Sequence, residues 1–228
     1  MLNEKHRLKC VLAIDPDTAN LVAQTAVLEH LQALFAHIEL TIEPVLVVPL
    51  DLTSVSSGLE LREFEDQVKS IESSIADLAQ EMPNLRLSEP VILKADFSSG
   101  QEWVRLLCEK ADRSSADLIV VNTHARSWVG RFILGSFTEA LLEQTHLPIL
   151  VFGPAVGSPS SSGSVLVMNP PADWLPKLGH PIQEIAPSDL NERDTRGARA
   201  LALSRSQVSP HRLRSLFQSE NCPILVFP

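Results

Sequence analysis

Apolar residues arrive along this chain in two alternating rhythms. Short, nearly unbroken runs occur at RLKCVLAID (7–15), PVLVVPL (44–50), LRLSEPVILK (85–94), ADLIVVNTH (116–124) and PILVF (148–152). Their length and their Val, Ile and Leu content suit strands buried on both faces. Between them the period shifts to that of a helix. Leu21, Leu28 and Phe35 stand seven apart with Leu31 and Leu34 filling the stripe, which predicts a helix over 18–36. Leu61, Phe64, Val68, Ile71, Ile75 and Leu78 step by three and four, with charged and small polar residues between them, until Pro83 and Asn84 stop the pattern. Helices are also expected at 101–112 and 136–144. Five strand-helix alternations with connections of this length predict an α/β fold, a doubly wound, five-stranded parallel sheet over residues 1–154.

A Gly, Pro and Ser cluster, GPAVGSPSSSGS (153–164), then reads as a flexible connection. Beyond it the chain echoes its own beginning and end. SVLVMNPPADW (164–174) resembles CVLAIDPDTAN (10–20), and CPILVFP (222–228) resembles LPILVFGP (147–154). Val11 and Ile149 stand 138 positions apart in the first copy, whereas Val165 and Ile224 stand only 59 apart in the second. The expected organisation is a complete unit over 1–154, a linker over 155–163 and a smaller, truncated α/β unit over 164–228. Strands are predicted in the latter at 164–169, 181–186, 200–204 and 223–227. Ser209 and Pro210 mark the start of a helix that runs to about Ser219.

Composition narrows the function classes. With 228 residues, 44% of them hydrophobic, the chain can bury a substantial core. No apolar run reaches the length of a membrane span, and the first residues lead into a strand without a secretory h-region. Cys10, Cys108 and Cys222 are scattered through apolar elements and read as reduced thiols, so a cytoplasmic location is expected. Residues 1–154 carry 12 Lys and Arg against 22 Asp and Glu, a balance that argues against nucleic acid as a partner. The tail arginines Arg193, Arg196, Arg199, Arg205, Arg212 and Arg214 read as a solvated face. No dinucleotide, P-loop or hydrolase motif is present, and the seven histidines show no metal-ligand spacing.

The chemistry concentrates in DLIVVNTHARSWVGRFILGSFTEALLEQTHLPILVF (117–152). A buried strand, a loop of small residues and a helix starting at Gly135 and Ser136 bring backbone N–H groups to the carboxyl end of a parallel strand, where an anion is held. Ser136 with Glu139 three residues later also fits a capping box that needs no ligand. Asn122, Thr123, His124 and Ala125, followed after nine residues by Gly135 and Ser136, resemble the nucleotide loop of the universal stress proteins. That loop runs glycine, two residues, glycine, nine residues, then Gly-Ser. Spacing is kept here, with Asn122 and Ala125 standing where the first two glycines would be.

The resemblance implies a Rossmann-like fold and a stress-linked binding or regulatory role. It also implies an adenine nucleotide, ATP with its accompanying magnesium, held by Asp15, Asn122, His124, Ala125, Arg126, Gly130, Arg131, Gly135, Ser136 and Phe137. In the family the strand-end aspartate, here Asp15, faces adenine and ribose. Asp15 equally fits a carboxylate that stabilises a helix start. Members of the family dimerise by pairing their last strands antiparallel, so 148–152 and 223–227 are expected to pair within the chain as an internal pseudo-dimer, with homodimerisation as a further expectation. Two other readings stand beside nucleotide binding: a protein-interaction module whose pocket holds no nucleotide, and a slow ATPase. For the last, no residue presents itself as a base.

Overall fold

The computed structural model describes residues 7–14, 21–49, 85–95, 100–122, 136–160, 163–186 and 197–228, with isolated helical positions at 66, 69, 73, 76, 77 and 80. In chain order the elements are β1 (Arg7–Ile14), α1 (Leu21–Leu34), β2 (Glu39–Pro49), β3 (Leu85–Leu87), β4 (Val91–Ala95), α2 (Gly100–Arg113), β5 (Leu118–Asn122), α3 (Ser136–Gln144) and β6 (Ile149–Phe152). They continue with β7 (Val165–Met168), a one-turn α4 (Leu175–Leu178), β8 (Ile182–Glu184), β9 (Ala200–Ser204), a 3-10 turn (Arg205–Gln207), α5 (Pro210–Ser219) and β10 (Ile224–Phe227).

All ten strands form one sheet, ordered β3-β2-β1-β5-β6-β10-β9-β7-β8, with β4 also on β2. Every pairing is parallel but one. β6 and β10 run antiparallel, with Ile224 opposite Val151, Leu225 opposite Leu150 and Val226 opposite Ile149. Outward from this pair, β6-β5-β1-β2 on one side mirrors β10-β9-β7-β8 on the other. The outer strands β3 and β4 have no counterpart beyond β8 among the described residues. Between β8 and β9 the chain has only the stretch from Glu184 to Ala200, against the stretch from Pro49 to Leu118 between β2 and β5.

Period-two alternation along each strand supplies both faces. Leu8, Cys10, Leu12, Leu118, Val120, Leu150 and Phe152 point to the α1 face, where Leu28, Leu31 and Phe35 are wholly buried. At about 1.5–3 kcal/mol per fully buried large side chain, that stripe is what holds α1 to the sheet. Val11, Ile119, Val121, Ile149 and Val151 point the other way, onto Val104 and Leu107 of α2 and Leu141 and Leu142 of α3. Both layers continue without a break into the carboxy-terminal strands, through Leu225 and Phe227 on one face and Ile224, Val226 and Phe217 on the other. Asp66, Lys69, Ser73, Asp77 and Gln80 are helical and exposed, the polar side of the stripe expected over 58–82.

Three boundaries differ from the sequence expectation. β2 begins at Glu39 rather than Pro44, and Glu43, a charge just outside the expected strand, is buried within it. Its carboxylate accepts from Lys110 Nζ of α2 at 2.7 Å and from the Ser114 hydroxyl. Burial pulls its pKa up, but these hydrogen bonds and the charges of Lys110 and Lys9 outweigh that and leave it lowered. The strand expected over 85–94 is two strands, because Ser88 turns its N–H and hydroxyl to the Ile42 carbonyl and Pro90 offers no N–H. The one-turn α4 carries no periodic pattern of its own to mark it in the sequence.

The Gly, Pro and Ser segment is tied to its surroundings. Val156 packs against the α1-face core, the Gly157 carbonyl accepts from His30 Nε2 at 2.8 Å, and the Gly163 carbonyl accepts from Arg199 Nε at 2.9 Å. Nearby, His37 Nε2 meets the Pro176 carbonyl at 2.8 Å, while His180 Nε2 and Arg199 Nη1 both reach the Ala33 carbonyl at the end of α1. Gly179 has φ +57 and lies where a Cβ would enter the His37 ring, so the α4 turn closes on α1 only with glycine there.

This seam predicts a pH dependence. Burial lowers the His30 pKa below 6.5, against the pull of the Gly157 carbonyl and Glu29. Burial also lowers that of His180, with Arg199 and His37 adding to it and the Ala33 and Leu34 carbonyls opposing. Both imidazoles therefore take up protons more readily when the chain is unfolded. Their contribution is complete above about pH 6.5 and is lost as pH falls through the lower folded values. The thermal midpoint should drop between about pH 7 and 5. His30→Gln, which keeps an N–H for Gly157 and cannot be protonated, should flatten the slope in a series of melts; an unchanged slope would exclude His30 as its source.

Candidate functional site

The site follows from where the sheet reverses. From β1 the chain passes through α1 to β2 and on to β3 and β4, then returns through α2 to β5 on the other side of β1. α1 and α2 lie on opposite faces. The helices that follow β1 and β5, α1 and α3, thus pack on opposite faces, which makes the carboxyl ends of these two strands the switch point of a doubly wound sheet. The register Cys10 to Leu118 through Ala13 to Val121 puts the ends of both strands level, with Ile14 and Asn122 as their last residues.

Of the residues expected to hold a ligand, Asn122 is a half-buried end residue of β5, paired in register with Phe152 of β6. Ser136 is the first residue of α3, and Phe137, partly buried, packs against the core on the α2 and α3 face. Asp15, which follows Ile14, and His124, Ala125, Arg126, Gly130, Arg131 and Gly135 lie outside the described residues. Among the described residues no cluster of His, Cys, Asp or Glu could hold a metal ion, and no helix is long and apolar enough to cross a membrane. Cys10 and Cys222 are buried free thiols and Cys108 is partly buried. Burial pushes all three pKa values up, with Cys108 at about 11 and Cys222 at about 12, so they are poor nucleophiles.

Glu139, the residue that a capping box with Ser136 would use, is engaged by a partner far along the chain. Both of its oxygens are held by Arg214 of α5, at 2.6 and 2.7 Å from Nη2, and Nε is 3.1 Å from Oε1. A bidentate guanidinium outcompetes a single backbone N–H for a carboxylate. Of the tail arginines expected as a solvated face, Arg193 and Arg196 lie outside the described residues, and three of the others have partners. Arg199, Arg205 and Arg214 all reach across to residues of the amino-terminal half, at Ala33, Leu142 and Glu139. Charge count alone could not reveal this, since carbonyls at the ends of α1 and α3 leave no mark in the sequence.

The sequence profile of the universal stress protein family matches residues 7–153. The chain belongs to the universal stress protein family. Its fold is shared with a universal stress protein from Archaeoglobus fulgidus, at 12% identity and a TM-score of 0.62, covering 95% of each chain. A putative universal stress protein from Pseudomonas aeruginosa aligns at 12% identity and a TM-score of 0.53, over 96% of this chain and 92% of that one. No curated protein sequence matches the chain. For this universal stress protein the family match spans β1 to β6 and ends at the residue after β6.

Proposed function

We propose that this universal stress protein is a stress-linked regulatory protein that binds an adenine nucleotide, ATP with magnesium first among them, at the carboxyl ends of β1 and β5. The observation that carries the reading is the β1 and β5 switch point with the start of α3 in the chain just beyond it. Asp15 takes the adenine and ribose side. Asn122, His124, Ala125, Arg126, Gly130 and Arg131 form the loop, and Gly135, Ser136 and Phe137 lead into the helix that receives phosphate. Sequestering Glu139 on Arg214 removes a competing carboxylate from that end of α3.

In the same reading the chain is one complete unit, 1–154, and a truncated unit, 164–228, whose role is architectural. Asn169, with φ 48, stands where Asp15 stands in the first unit, and β9 passes to α5 through a short turn. Self-association of whole chains would add to the internal β6 and β10 pair. A second reading, contact with other proteins and no nucleotide, is favoured by Asn122 and Ala125 at two glycine positions of the loop.

Calorimetric titration with ATP, ADP and AMP, with and without magnesium, distinguishes the two. Saturable binding by the wild type is expected, with a loss of at least about tenfold in Gly135→Asp, which places a carboxylate against the phosphates. No heat at millimolar nucleotide would leave the protein-contact reading. Phosphate release that disappears in Asp15→Ala would instead make the protein an ATPase.

A further inference from the structure

A second concavity lies on the opposite side of the sheet from α1, where the later turns of α3 face α5. α3 and α5 are topological counterparts, each leading into one strand of the antiparallel pair. Between them runs a groove of about 560 Å³. Its floor is apolar: Leu142, Val208, Leu213 and Phe217, each 8% exposed or less. That volume falls in the range of small-molecule sites rather than of packing defects.

The walls decide what chemistry would fit. Arg205 is the first residue after β9, the place that the loop residue Thr123 occupies after β5. In the truncated unit the connection has shrunk to a 3-10 turn, and this draws the Arg205 guanidinium to the Leu142 carbonyl near the end of α3. One N–H is used there. Among the described residues Arg205 forms no ion pair, so a half-buried cation lines the groove without a carboxylate. His211 adds two ring nitrogens at the rim, and the first turn of α5 contains no acidic residue to offset its N-terminal dipole. Of the two acidic groups on the α3 wall, Glu139 is neutralised by Arg214. Glu143 matches Arg205 in number but is exposed and makes no ion pair with it, so the half-buried guanidinium is the charged group nearest the apolar floor.

We infer that the seam groove is a binding site for an amphiphilic monocarboxylate, its apolar body on Leu142, Val208, Leu213 and Phe217 and its carboxylate on Arg205 and His211. A neutral amphiphile of the same length would cover the floor but leave Arg205 unpaired. An amine would meet repulsion there. The site draws on both halves of the chain, so it exists only where the truncated unit is docked.

Decanoate, decanol and decylamine, titrated into the full chain and followed by calorimetry and by amide shifts of α5 in NMR, test this. Decanoate is expected to bind one to one and at least about tenfold tighter than decanol, the difference that one charge-assisted hydrogen bond makes. Arg205→Gln should remove that preference. Should Arg205→Gln fail to fold, two rim variants carry the test, since neither side chain is buried: Glu143→Gln should tighten decanoate and His211→Ala should weaken it. Saturating ATP should leave decanoate binding unchanged, whether or not the nucleotide itself binds. Equal affinities for decanoate and decanol, shifts confined to residues outside α3 and α5, or no saturable binding would overturn the assignment.

Discussion

A chain ending at Pro154 should self-associate or precipitate, although it retains the whole family-matched region and every residue of the proposed nucleotide site. In the full protein β6 is an interior strand, paired with β5 on one side and β10 on the other, and Ile149, Leu150, Val151 and Phe152 are each 1% exposed or less. Truncation turns it into an edge. The edge would be apolar at every position, without lysine, proline or a bulge to blunt it, and such strands pair with whatever strand they meet. On the α1 face the same cut uncovers the surface now packed by Trp174, Leu178 and Phe227, and it removes the carbonyl partners of His30 and His37.

The magnitudes favour a large effect. Even partial exposure of several large apolar side chains, at roughly 25 cal/mol per Å², consumes much of the approximately 5–15 kcal/mol by which a domain is stable. Light scattering and size exclusion of residues 1–154 against the full chain should show oligomers or aggregate in the former alone. A stable, soluble monomer would mean that the truncated unit serves something other than covering the edge of β6.

How much of this was legible beforehand depended on whether the controlling interaction was periodic. The β5, α3 and β6 elements and the helix beginning at Ser209-Pro210 were readable because burial imposes a strict period and Ser209 caps through its own side chain, which accepts the Arg212 N–H. The repeated PILVF marked two apolar strands in need of cover, and the family resemblance supplied the expectation that they pair antiparallel with each other. What stayed hidden was aperiodic and long-range. Glu43 fell outside the expected strand because its partner, Lys110, lies far along the chain. Arg205 and Arg214 looked like solvated charge until α3 was placed beside them. At the proposed nucleotide site the ends of β1 and β5 and the start of α3 were legible, whereas ligand preference turns on the backbone of a loop whose first two glycine positions hold Asn122 and Ala125, and a side-chain pattern does not determine that.

Gly153→Ala should be among the most damaging single substitutions in the chain, though alanine is the mildest replacement available. Gly153 follows β6 directly and lies beneath α5, where an added Cβ would fall 2.0 Å from the Phe217 carbonyl oxygen and 3.1 Å from its carbonyl carbon. The obstacle is backbone, so no rotamer change relieves it. Either β6 or α5 must move by more than an ångström. Moving α5 would disturb Leu213, Leu216 and Phe217, which bury its inner face, and the Arg214 pair with Glu139. Moving β6 would strain the register with β10. Overpacking of this kind costs about 1–3 kcal/mol where side chains can yield, and a rigid helix backbone places Gly153→Ala at or above the upper end. Urea unfolding should show a midpoint shift of that size at unchanged slope, with Gly157→Ala as the control, since nothing lies within 4 Å of a Cβ there. Equal stability of the two variants would show that α5 does not rest on β6 as closely as the geometry requires.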